Sequence, residues 1–159
     1  MLTWFMRRWL DKGPWRFCWQ SALEGLVISW VVLVALSPFE FEPRRAFDRM
    51  SAEKILLLAV VFAPVVETVL FQVIPIHCCR WFKGSFTIQV VISTALFAAA
   101  HFHENFLVGM SAGLVGGFYL AFTYAHWADK RGMWTACWTT AVHHGIRNGI
   151  SVGLLLALR

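Results

Sequence analysis

The chain has 159 residues, 58% of them hydrophobic and only 14% charged, with a mean hydropathy of +0.61. That length holds one domain, and the composition excludes an ordinary soluble one in favour of a polytopic membrane protein. The formal charge of +5 does not indicate nucleic acid, because the basic residues lie mostly at the ends of apolar runs, where they set topology.

Residues 1–20 carry Arg7, Arg8, Lys12 and Arg16 among Trp4, Phe5, Trp9, Trp15 and Trp19. They hold no long apolar core and no small-x-small cleavage pattern, so they read as a basic, aromatic interfacial segment rather than a signal peptide. The first span is predicted over 22–37, with Glu24 near its start and Pro38 at its end. A polar loop over 39–54 carries Glu40, Glu42, Arg44, Arg45, Asp48, Arg49 and Glu53.

The second span, 55–82, exceeds the ~20 residues a bilayer requires. Pro64 and Pro75 are expected to kink or divide it, and Pro64 frees a backbone carbonyl one turn earlier. Arg80, Lys83 and Gly84 close it. The third span is predicted over 86–101 with a turn over 102–105, and the fourth over 106–126 with a turn over 127–132. The fifth covers 133–158. Gly109, Gly113 and Gly117 on the fourth, and Gly145, Gly149 and Gly153 on the fifth, recur at four-residue spacing. Such small-residue faces allow close helix contact, so these two helices, joined by a short turn, are expected to pack tightly as a hairpin. The fold class is therefore all-α, a transmembrane bundle of about five spans. With the N-terminus inside, the inner segments hold Arg7, Arg8, Lys12, Arg16, Arg80, Lys83, Lys130 and Arg131, against Arg44, Arg45, Arg49, Lys54 and Arg159 outside. This favours N-in and C-out. The four cysteines, Cys18, Cys78, Cys79 and Cys137, have no zinc or redox spacing and read as small apolar residues.

Three interruptions of the apolar runs carry chemistry. Glu67 stands alone in the second span, where a carboxylate costs roughly 3 kcal/mol to insert and marks a functional site by default. Gln72 follows five residues later, roughly 140° away around a regular helix. Phe97 and His101 share a face of the third span as an i, i+4 pair, while His103 and Glu104 beside them read as turn residues. On the fifth span His144 and Asn148 form one i, i+4 pair, and His143 and Arg147 form another on the adjacent face. A carboxylate paired with imidazole can take a proton from water, and imidazole and carboxamide donors can hold an oxyanion. Ser111 and Ser151 lie among small residues and read as packing, and no lysine lies inside a span to activate a serine.

At these residues the chain resembles the CPBP intramembrane proteases, which include the type II CAAX prenyl endopeptidases and bacteriocin-processing or self-immunity proteins. The family pattern is Glu-Glu-x-x-x-Arg, then Phe-x-x-x-His, then His-x-x-x-Asn or Asp on successive helices. Glu67, Phe97 with His101, and His144 with Asn148 match it in order, over about residues 55–158. Thr68 stands at the second glutamate and Gln72 at the arginine. The resemblance divides the chain into residues 1–54 and a four-helix catalytic core over 55–159. It implies a glutamic-type endopeptidase without cofactor: Glu67 and His101 activate a water, and His144 and Asn148 hold the oxyanion. Thr68, Gln72, Phe97, His143 and Arg147 are the supporting candidates. The expected partners are a peptide or membrane-protein substrate and the lipid bilayer, in the bacterial inner membrane.

Three other readings stay open. The departures at Thr68 and Gln72 suit a weakly active immunity or accessory partner. Glu67, His101 and His144 would also make a three-ligand zinc site, although no His-Glu-x-x-His motif supports one. The same three residues would serve a small transporter or channel as a proton or metal path. Three expectations follow for the first reading. Glu67, His101, His144 and Asn148 share one cavity; hydrolysis needs no metal; and Arg147 stands in for the arginine missing at Gln72, keeping Glu67 a carboxylate if it lies within ~4–6 Å.

Overall fold

The computed structural model describes residue 8 and residues 12–39 and 50–157. Among these, the regular elements are helical and form five consecutive helices. They are α1 (Pro14–Leu36), α2 (Ala52–Trp81), α3 (Phe86–Phe102), α4 (Phe106–Arg131) and α5 (Met133–Ala157). The chain is all-α, as its composition predicts. α1, α2 and α4 are long and apolar enough to cross a membrane, and α3 is a shorter apolar helix. The expectations placed on Trp4, Phe5, Arg7, Trp9, on Glu40 to Arg49 and on Arg159 lie outside the described residues.

Two boundaries differ from the sequence reading. α1 starts at Pro14 rather than at 22. A proline suits the first helical position, whose N–H has no partner in any case. Phe17 and Cys18, within the stretch read above as interfacial, are buried instead, and Cys18 Sγ donates to the Thr139 carbonyl of α5 at 3.3 Å. α4 continues to Arg131, so the turn into α5 is Gly132 alone, at φ 84°, a left-handed conformation that glycine adopts without strain. Trp127, read as a turn residue, is fully buried.

α2 is not a uniform helix. Wider π turns over Leu57–Phe62 and Val69–Val73 interrupt it, and each lies just before a proline. Between them stands a short α-helical piece, Ala63–Thr68, which carries Glu67. A proline offers no N–H and crowds the preceding turn, and a π turn is one way a helix absorbs that. α4 has a third π segment, Gly109–Gly116.

α4 and α5 do pack as a hairpin, but their glycines do not face each other. A Cβ at Gly113 would lie 3.0 Å from Ala98 Cα and His101 Cβ, and one at Gly117 3.0 Å from the Phe97 ring, so the α4 glycines admit α3. A Cβ at Gly145 would lie 3.0 Å from the Val60 carbonyl oxygen, so that glycine admits α2; Gly153 has nothing within 4 Å. Spacing reveals a small-residue face without saying which neighbour it receives.

The aromatic core lies at one end of the bundle, where α1 starts, α2 ends, α4 ends and α5 starts. There His126 stacks between Phe17 (5.5 Å) and Phe122 (5.8 Å), with Trp127 edge-on to Phe17 at 5.6 Å. Arg80 Nη2 ties α2 to α4 through Asp129 Oδ1 at 2.7 Å. Exposed Trp15, Trp19, Trp81, Trp134 and Trp138 belong to the same end.

Candidate active site

At the opposite end of the bundle a cavity of about 310 Å³ opens between α2, α3, α4 and α5. Glu67, Phe97, His101, Glu104, His144, Arg147 and Asn148 line it. The four residues matched as catalytic by the family motifs thus face one space, from three helices.

Glu67 Oε2 stands 3.7 Å from His144 Nε2. That separation is too long for a direct hydrogen bond but lets both atoms contact one water. His101 Nδ1 lies 2.9 Å from the carbonyl oxygen of Phe97, one turn back. A carbonyl only accepts, so Nδ1 carries a proton, and in the neutral tautomer the lone pair is the one on Nε2. Phe97, almost completely buried, holds both imidazoles. His101 stacks on it at 4.2 Å, and His144 meets it edge-on at 5.7 Å. Of the intervening alanines, Ala98 lies against Gly113 of α4, while Ala99 and Ala100 are exposed. Asn148 Nδ2 donates to the Ala59 carbonyl oxygen at 2.8 Å, so one of its two amide hydrogens is already engaged with α2.

Arg147 also lines the cavity, yet its Nη2 donates to Ser29 Oγ of α1 at 2.7 Å. Among the described residues no ion pair joins it to Glu67. The guanidinium lies in a slot between two glycines: a Cβ would come 2.9 Å from Nη1 at Gly25 and 3.2 Å from Nη2 at Gly116. Three other supporting candidates do not line the cavity. Gln72 and Thr68 are buried elsewhere in the bundle. His143 is wholly buried against α4, where its Nδ1 bonds Thr123 Oγ1 at 2.9 Å. The Thr123 hydroxyl gives its own proton to the Tyr119 carbonyl (2.6 Å), so the imidazole N–H is the donor in that bond.

Glu104 is the cavity residue that the sequence reading set aside. It lies in the turn just past α3, three residues after His101, and it brings a second carboxylate to the wall. Among the described residues no three His, Cys, Asp or Glu side chains come together as a metal-ligand set. Glu67, His101 and His144 are therefore not gathered as a three-ligand set in this structure.

Residues 52–150 match the family described as type II CAAX prenyl endopeptidase Rce1-like. No curated protein and no solved structure matches the chain.

Proposed function

The chain belongs to the Rce1-like family of type II CAAX prenyl endopeptidases, and from that premise we propose that it is an integral membrane endopeptidase of glutamic type. Glu67 takes a proton from a water held between it and His144, and the hydroxide adds to a peptide carbonyl entering the cavity. His101, with its Nε2 lone pair free, assists the proton transfer, and His144 stabilises the oxyanion that forms. Low water content around the site strengthens each of these interactions. The observation that carries the reading is the 3.7 Å approach of Glu67 and His144 in a cavity that His101 also lines. The substrate class is a peptide or membrane-protein segment, and the location is a bacterial inner membrane, with the N-terminus inside.

The test uses the full-length protein in liposomes and a prenylated, internally quenched peptide of CAAX type. Glu67→Gln keeps the shape of the side chain and removes the base, so kcat should fall about 10²–10⁴-fold with the unfolding temperature unchanged. Retained cleavage would overturn the proposal. A second reading, a membrane immunity or accessory partner with weak hydrolysis, rests on Thr68 and Gln72, which stand where the family pattern has a second glutamate and an arginine. Under that reading Glu67→Gln leaves partner binding intact.

A further inference from the structure

Both π turns of α2 leave a carbonyl in need of a donor. In the first turn Ala63 gives its N–H to Leu58, five residues back. The next residue, Pro64, has no N–H to give to Ala59 in the same register. Asn148 Nδ2 of α5 donates to that oxygen at 2.8 Å. In the second turn Ile74 gives its N–H to Val69. Pro75 has none to give to Phe71, four residues back, and Ser93 Oγ of α3 donates there at 2.6 Å. The two interruptions are built alike: a proline, a widened turn, and a side chain from a neighbouring helix on the freed oxygen. Between them lies the six-residue piece Ala63–Thr68 that carries Glu67. Gly145 completes the first clamp, because its missing Cβ lets the α5 backbone lie against the Val60 carbonyl.

We propose that Asn148 is a positioning residue in addition to any contact with the reacting carbonyl: one amide hydrogen holds α2 by the Ala59 carbonyl and thereby sets the direction of the Glu67 carboxylate, and the second is left to face the cavity. The proposal rests on the protease reading for its effect on rate, while the clamp itself does not. A part-buried carbonyl left without a donor would draw the helix toward another hydrogen-bond register. One residue of slippage in α2 would turn Glu67 out of line with His144. The role suits asparagine, whose amide donates to a carbonyl; a carboxylate at the same place offers only acceptors. Ser93 holds the other end of the same segment.

The experiment is a double-mutant cycle on the full-length protein in liposomes, with wild type, Pro64→Ala, Asn148→Ala and the double variant. Pro64→Ala restores an N–H five residues after Ala59 and so makes the Asn148 donor redundant. With the prenylated quenched peptide, Asn148→Ala should lower kcat about 10²-fold in the wild-type background with KM little changed, as expected for a misplaced group. In the Pro64→Ala background the added loss should shrink markedly, because the two changes share one hydrogen bond. An equal fold loss in both backgrounds would overturn the proposal and leave Asn148 with the oxyanion alone. Hydrogen–deuterium exchange over residues 57–68 tests the clamp without substrate. Asn148→Ala should raise exchange there in the wild-type background and not in Pro64→Ala; no rise, or the same rise in both, overturns the clamp. This arm stands even if the peptide is not cleaved, so it separates failure of the clamp from failure of the protease reading. If Asn148→Ala does not fold, Asn148→Ser takes its place in the cycle and is judged by the same outcomes.

Discussion

Arg147 is a cation only 6% exposed, and its guanidinium is held by a serine hydroxyl rather than a carboxylate. A hydrogen bond to a charged group contributes about 1.5–3 kcal/mol. Arg147→Ala should therefore lower stability by about 2 kcal/mol, read as the unfolding temperature in detergent. Gln72→Arg should not restore it, because Gln72 is fully buried and does not line the cavity, so an arginine there would be a second buried cation. If Arg147→Ala instead moves the acid limb of the pH–rate profile and Gln72→Arg reverses that, Arg147 tunes Glu67 through space. At this scale, residue type and helical spacing were good guides. Glu67 is costly anywhere in a span, and the pairs Phe97/His101 and His144/Asn148 each bring both members to the cavity. Spacing did not separate His144 from His143, because adjacent faces of α5 meet different neighbours. It also did not promote Glu104, because a charged residue in a turn reads as solvated, and Glu104 is indeed exposed while standing at the cavity wall.

The long apolar runs made the helices legible, and the prolines of α2 made an interruption legible. The form of that interruption was not. A π turn depends on which neighbouring donors take up the freed carbonyls, and those lie 22 and 89 residues away along the chain. The two glycine faces were visible for the same reason, and their partners invisible. This gives a prediction at the level of helix packing. A methyl at Gly113 would meet the Ala98 backbone and His101 Cβ at 3.0 Å. Backbone yields little, so Gly113→Ala should push α3 from α4, at a cost of about 1–3 kcal/mol, and displace His101. Gly153→Ala meets nothing within 4 Å and should leave unfolding temperature and peptide cleavage unchanged. Equal behaviour of the two variants would mean that the α3–α4 contact is looser than described. Ser93→Ala removes the donor on Phe71 and should cost about 1 kcal/mol by the same unfolding assay.

Across the whole molecule, the family match begins at residue 52, yet α1 is joined to the matched core along its length. Cys18 bonds Thr139 (3.3 Å), Ser29 Oγ donates to the Ser111 carbonyl (2.9 Å), Tyr119 donates to Glu24 (2.8 Å), and Arg147 reaches Ser29. The bundle is also divided lengthwise, with aromatic packing and five of the six exposed tryptophans among the described residues at one end and the cavity at the other. Indole rings settle at a membrane–water boundary. The tryptophan end therefore acts as a float at one boundary, and the depth of Glu67 is measured from it rather than from the nearer surface. A thicker bilayer would then draw the cavity mouth, with Glu104, down among the acyl chains, while a thinner one would leave it in the headgroups. Cleavage should accordingly vary with lipid chain length, and Trp81→Ala combined with Trp134→Ala should flatten that dependence; a rate indifferent to chain length in the parent protein would show that hydrophobic thickness does not meter access to this site.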